Sequence, residues 1–253
     1  MLPYTTVRDL GSGNLLFVVD IETIDAPLKD LIDKKFVKIC EGNSGTNLAL
    51  VKERLINFLN PKIGSNLEIG AIAEFFLHLF LQDAGFEPQF LFLNLEEGSI
   101  KKGFDGYYEY NGEEWVMESK SGSVSTANMS HGGKIREAYT DLAAKFSGNV
   151  TNNPWQNAYN HANMIDVGAS PNIRANIKKF SDEFLKGIFY RIKDFNIIPG
   201  STIVLDGLWV KTDADQLEIE VKGIIQTLHY KQIKVLCITQ KSLDLFWDYL
   251  TQP

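Results

Sequence analysis

The spacing of apolar residues changes several times along the chain, and each change marks a different element. From residue 46 to 59, Leu48, Val51, Leu55, Ile56 and Leu59 recur at helical spacing, and Asn60-Pro61 closes the run. A wider apolar face follows between residues 66 and 84. There Ile69, Ile72, Ala73, Phe76, Leu77, Phe80 and Leu81 predict a second helix, which Gly85 ends. Upstream, residues 1 to 40 read as short strands and turns, with Leu15-Leu16-Phe17-Val18-Val19 as a strand bounded by Gly11-Ser12-Gly13-Asn14.

After Gly85 the period changes. Phe90-Leu91-Phe92-Leu93 predicts a strand, a glycine-containing loop follows, and residues 104–110 predict another strand. Asn111-Gly112 is a two-residue hairpin signal, and Trp115-Val116-Met117-Glu118-Ser119-Lys120 is the returning strand. Residues 121–133, rich in Ser, Gly, Thr and Asn, predict a loop. Helices follow over 133–146, 155–165 and 176–195, the last with Phe180, Phe184, Ile188 and Ile192 on one face. The remainder predicts a strand over 202–210, a mixed segment, a strand over 234–239 and a helix over 242–249. Strands interleaved with helices make this an α/β chain.

Composition narrows the class. At 253 residues, 44% hydrophobic and 23% charged, the chain suits one large α/β domain or a core with additions. No apolar run reaches membrane-spanning length, and Met1-Leu2-Pro3-Tyr4 lacks the basic and apolar regions of a signal peptide, so a cytoplasmic location is expected. Cys40 and Cys237 each sit in an apolar run and read as buried reduced thiols; with four scattered histidines they give no zinc-site spacing. The net charge of −7 argues against strong, indiscriminate binding to nucleic-acid phosphates by the chain alone, and so favours a partner subunit.

The chemistry-bearing residues fall on the hairpin. Glu118 and Lys120 are two apart on one strand and so project from the same face, and the Asn-Gly turn brings Asp105 back beside them. Two carboxylates and an ammonium then converge at one end of a sheet. Mg²⁺ prefers oxygen ligands and keeps several waters, so Asp105, Glu118 and the backbone carbonyl of Ser119 would hold it. Lys120 would stabilise negative charge developing beside the attacking water.

Phe104-Asp105-Gly106 and Glu118-Ser119-Lys120, with 12 residues between the two acids, resemble the motif of the PD-(D/E)XK nuclease superfamily. Phe104 stands where the motif has proline. The resemblance covers residues 66–165 and implies a restriction-endonuclease-like core: a central mixed sheet flanked by helices in the order αβββαβ. Residues 1–65 would be an N-terminal accessory region packed on that core, and residues 166–253 a C-terminal α/β extension. Many members carry an acid on the first helix; Glu74 fits that place, while Glu68 lies in the first turn, where an acid suits the helix dipole. The superfamily implies Mg²⁺- or Mn²⁺-dependent hydrolysis of phosphodiester bonds, typically of DNA, and its restriction and phage-defence members suggest a bacterial defence effector. The acidic total and the lack of a nucleotide-binding loop fit an effector that works with a helicase or ATPase subunit; a homodimer is a further alternative.

Each feature also has a plainer reading. Glu118-x-Lys120 alone is usually a solvated strand face, and Leu205-Asp206-Gly207 followed by Glu218-Ile219-Glu220-Val221-Lys222 repeats the same grammar as a rival site. Against the rival, no first meander strand precedes it, and the chain after Lys222 stays apolar. The polar stretch containing Ser121, with Lys134 and Arg136 on the next helix, reads as a solvated loop or as a phosphate-contacting one. His131 is a surface histidine or a participant. Around Trp155, core packing by Trp155 and Tyr159 competes with a nucleic-acid contact by Gln156 or Asn160. Three functions therefore stand: a metal-dependent DNA nuclease, a catalytically silent binding module of the same fold, and a phosphoester hydrolase acting on a small nucleotide.

Overall fold

In a computed structural model, which describes residues 4–92 and 103–252, the strands form one seven-stranded mixed sheet. The strands are β1 (Thr5–Gly11), β2 (Asn14–Ile21), β3 (Glu87–Pro88), β4 (Gly106–Tyr110), β5 (Glu113–Ser123), β6 (Asn196–Val204) and β7 (Gln232–Gln240). Their order across the sheet is β1-β2-β7-β6-β5-β4-β3. β2, β7, β6 and β5 run parallel, while β1 and β4 are antiparallel to their neighbours. The helices are α1 (Ala26–Glu41), α2 (Leu48–Leu59), α3 (Asn66–Asp83), α4 (His131–Phe146), α5 (Pro154–Ala162), α6 (Pro171–Leu185), α7 (Ala214–Ile225) and α8 (Asp244–Thr251). Among the described residues no helix is long and apolar enough to cross a membrane.

Strand alternation gives the sheet two apolar faces and hence two cores. On one, Met117, Ile198, Leu236 and Ile238 meet α1, α2, α3 and α8; on the other, Val116, Ile197, Val235 and Cys237 meet α4 to α7. α3 is buried nearly all round because the sheet covers one side and the other helices of its layer cover the rest. Cys40 and Cys237 are both buried, and they lie in different cores, on opposite faces of the sheet. One sheet runs through all three segments of the chain, since β2 of the first pairs with β7 of the last.

Several expectations need correction. Residues 26–41 form a helix rather than strands and turns: Asp25 caps it by accepting from Leu28 N, and proline stands in its first turn. The expected strand at Phe90 is displaced to Glu87–Pro88. Phe90 and Phe92 fall in different cores, whereas residues two apart on a strand would share a face, and their segment has no ladder; Gln89 N donates to Tyr107 O and Phe92 N to Ile39 O. Leu93, the end of that expected strand, and the loop over 94–102 lie outside the described residues.

The serine-rich segment is strand as far as Ser123, because β6 supplies a parallel partner for Ser121 to Ser123. The helix expected over 176–195 begins instead at Pro171, capped by Ser170, and ends at Leu185. The strand expected over 202–210 is β6, shifted toward the N-terminus and carrying Pro199 in mid-sheet. The β6–β7 ladder skips there, between Ile197↔Ile233 and Gly200↔Leu236, as a residue without N–H requires. The mixed segment after it contains α7.

Candidate active site

The hairpin that carries the site is set by its turn. Asn111 and Gly112 both take positive φ, 53° and 76°, as a two-residue hairpin loop demands. That fixes the register: Gly106 pairs with Met117, and Asp105, one residue outside the ladder, arrives opposite Glu118. Beyond Met117 the strand β5 outruns β4 and continues along β6 alone. Asp105 Oδ2 takes the place of a ladder partner there, accepting from Ser119 N and Ser119 Oγ, both at 2.8 Å. The acid that opens the motif is thus bonded to the strand that carries the rest of it.

Glu118 and Lys120 share the face that looks toward α4, the face of Val116. Glu118 is 3% exposed. Its Oε1 lies 3.3 Å from Lys120 Nζ, and its Oε2 accepts from Lys145 Nζ on α4. Lys120 Nζ reaches Asp141 Oδ2, also on α4, at 2.5 Å. Gly122 approaches the stem of Lys134. Pairs 118/145, 120/141 and 122/134 show that α4 lies antiparallel along the outer half of β5.

The charges shape one another. Burial first, and then the neighbouring Asp105 charge, push the Glu118 carboxyl up from 4.5 to about 7, although Lys145 and Lys120 pull it down. Burial alone would lower the Lys120 ammonium, yet Glu118, Asp141 and Asp105 outweigh it and hold Lys120 above its ordinary value. Beside these carboxylates Lys120 is therefore held as a cation.

A pH effect follows. The folded state holds the Glu118 proton more tightly than the unfolded chain, so its contribution to stability is complete below about 4.5 and is lost as pH rises through about 7. The loss is on the order of 3 kcal/mol for that span. In chelator-containing buffer, wild type is expected to be less stable at about pH 8 than at about pH 5, and Glu118→Gln to lack most of that slope. Urea titrations at the two pH values check this; identical slopes in both proteins would overturn it.

The other sequence-derived residues are placed as follows. Glu74 is buried on α3, in the opposite face's layer, with its carboxylate 3.5 Å from His78 Nε2. His78 Nδ1 meets the Tyr108 hydroxyl at 2.5 Å. Burial raises the Tyr108 hydroxyl well above its usual range, and the charges of Glu74 and Asp105 add to the rise, so Tyr108 lies within electrostatic reach of both acids. Glu68 is occupied structurally: Oε2 accepts from Gly64 N at 2.6 Å and Oε1 from Trp247 Nε1 at 2.7 Å.

Ser121 is on β5, on the face opposite Glu118 and Lys120. Lys134 pairs with Glu137. Arg136 is exposed, about 200° around α4 from Lys134. Gln156 accepts from Ser181 Oγ at 2.9 Å, which ties α5 to α6, and donates to Asn160. Trp155 and Tyr159 pack in the second core. His131 is buried rather than on the surface, its ring nitrogens 2.8 Å from Ser201 Oγ and 3.0 Å from Thr239 Oγ1, and burial lowers it to about 4.

The rival site fails on secondary structure. Glu218, Glu220 and Lys222 lie on helix α7, not a strand, and Lys222 pairs with Glu218 at 2.6 Å. Residues two apart on a helix point to different sides, so Glu220 and Lys222 do not converge. Asp206, past the end of β6, accepts from Ser123 Oγ. Conversely, Asp141 and Lys145 belong to the site and carry no local signal: four apart on a helix, they resemble an ordinary intrahelical pair.

Among the described residues no three His, Cys, Asp or Glu side chains converge to hold a metal ion. The available donors are Asp105, Glu118 and the carbonyl of Ser119. That set fits Mg²⁺, which is commonly held by one or two carboxylates with water filling the rest. The rise of Glu118, to which the Asp105 charge contributes, also marks a place where a cation relieves like-charge repulsion. Comparison with known protein families and with curated proteins gives no match.

Proposed function

We propose that the chain is a metal-dependent nuclease that hydrolyses DNA phosphodiester bonds, with its centre at Asp105, Glu118 and Lys120. The observation that carries this reading is the joining of two adjacent carboxylates to one fixed ammonium, with Glu118 nearly withdrawn from water. The order of elements supports it: α3, the antiparallel run β3-β4-β5 (β3 only two residues long), α4, and, after the inserted α5 and α6, β6 parallel to β5 follow the helix, meander, helix and strand expected of a restriction-endonuclease-like core.

In this reading Asp105 and Glu118, with the Ser119 carbonyl, hold Mg²⁺ or Mn²⁺. When bound, the ion supplies an acidified water and neutralises charge on the phosphate. Lys120 holds its proton throughout and places a positive charge beside the developing negative one, where exclusion of water strengthens it. Asp141 orients the Lys120 ammonium from the α4 side. In the same reading Lys134, whose stem lies by Gly122 and whose ammonium pairs with Glu137, would exchange that pairing for a phosphate further along the strand.

The overall charge of −7 fits a subunit that is brought to DNA by a partner such as a helicase or ATPase, and a defence or restriction role is the context proposed for it.

Calorimetric titration with Mn²⁺ tests the centre. Wild type is expected to bind the ion, Asp105→Ala to lose that binding, and Lys222→Ala to keep it. Retention by Asp105→Ala, or loss in Lys222→Ala, would sink the assignment.

A further inference from the structure

Glu118 is bounded by two ammonium groups whose surroundings differ. Lys120 lies between two carboxylates, Glu118 and Asp141, and follows Glu118 by two positions on the same strand. Lys145 comes from α4, meets Glu118 through Oε2, and has its ammonium 5.6 Å from the centre of the buried Phe104 ring. Phe104 immediately precedes Asp105, so the ring that flanks Lys145 belongs to the motif itself. Position 145 is also in the last turn of α4, where the helix dipole favours a cation.

Resting on the nuclease reading, we propose that Lys145 is a built-in counter-ion of the carboxylate pair, occupying the oxygen of Glu118 that a divalent cation takes. A nearly buried carboxylate beside a second acid is costly to leave unbalanced. Lys145 balances it when no divalent ion is present and withdraws when one enters, so the ammonium and the metal compete for one oxygen. Lys120 does not compete in this way, because it contacts the other oxygen, Oε1, and shares its charge with Asp141. The consequence is a centre whose metal affinity is set low by the chain itself and is governed by how firmly α4 is seated on β5.

The test is Mn²⁺ binding, read by calorimetry and by the electron paramagnetic resonance of the free ion, in the full chain without DNA. Lys145→Met is expected to bind Mn²⁺ roughly tenfold or more tightly than wild type, the size expected from removing one positive charge a few ångströms from the ion. Lys145→Arg, which keeps the charge, is expected to stay within a few-fold of wild type. The gain is expected to vanish in the Lys145→Met/Asp105→Ala double variant. If Lys145→Met does not fold, Lys145→Gln takes its place with the same expectation. Unchanged or weaker binding in the neutral variant, alongside Asp105-dependent binding in wild type, would make Lys145 a structural tie and leave the nuclease reading standing. Absence of Asp105-dependent binding in every protein would remove that reading and this one with it.

Discussion

Lys120→Ala is expected to lower Mg²⁺-dependent DNA cleavage by about 10²- to 10³-fold, the usual effect of removing one well-placed charge from a reaction centre. The side chain is 28% exposed and its partners are Glu118 and Asp141. Truncation leaves Glu118 in contact with Lys145, so no uncompensated buried charge is created and the fold is expected to persist. Circular dichroism and a denaturation midpoint establish that, and a timed nicking assay gives the rate. Because Lys120 is held in its charged form by three carboxylates, the loss should be similar across neutral pH rather than confined to one arm of a profile. Activity within a few-fold of wild type would reduce Lys120 to a strand-surface ion pair.

Trp155→Ala is expected to destabilise the protein by about 3–5 kcal/mol, the range for truncating a buried tryptophan. Trp155 is fully buried and packs against Phe104, Phe146, Phe180 and Phe195 with ring centroids 4.6–5.8 Å apart. Two of those rings adjoin the site in sequence: Phe104 precedes Asp105, and Phe146 follows Lys145. The cavity therefore opens beneath the carboxylate pair, and cleavage by the folded fraction is expected to fall as well. Urea unfolding measures the first effect. A loss below about 1 kcal/mol would mean that the second core does not depend on this ring.

Particular residues explain how much was legible. The hairpin was, because Asn111-Gly112 admits few backbones and the residues flanking it alternate; Asp105, Glu118 and Lys120 followed from turn and period alone. α3 was legible from an apolar face with glycine at its end. What the sequence pattern hides is anything fixed by a partner strand or helix. Ser121 to Ser123 are polar and look like loop, but β6 gives them a ladder. Pro199 argues against a central strand, yet the sheet accommodates it by skipping one stretch of pairing. Residues 26–41 have a cap and a proline in the first turn, which tip them to helix despite their β-branched members.

The site was legible only in its strand half. Asp141 and Lys145 look like each other's partner, and only the seating of α4 on β5 redirects one to Lys120 and the other to Glu118. Likewise, Glu220-x-Lys222 copies the motif in letters, but a helix sends the two side chains apart.

The central claim is that Asp105, Glu118 and Lys120 form a metal-dependent phosphodiesterase centre. Cleavage of supercoiled, linear and single-stranded DNA by the purified protein, with Mg²⁺ or with chelator, beside Glu118→Ala, tests it most directly. The predicted result is cleavage of at least one substrate by wild type, with cell extract added where a partner is required, that disappears with chelator and in Glu118→Ala. Metal-dependent cleavage that persists in Glu118→Ala, or no cleavage of any substrate even with extract, would contradict it.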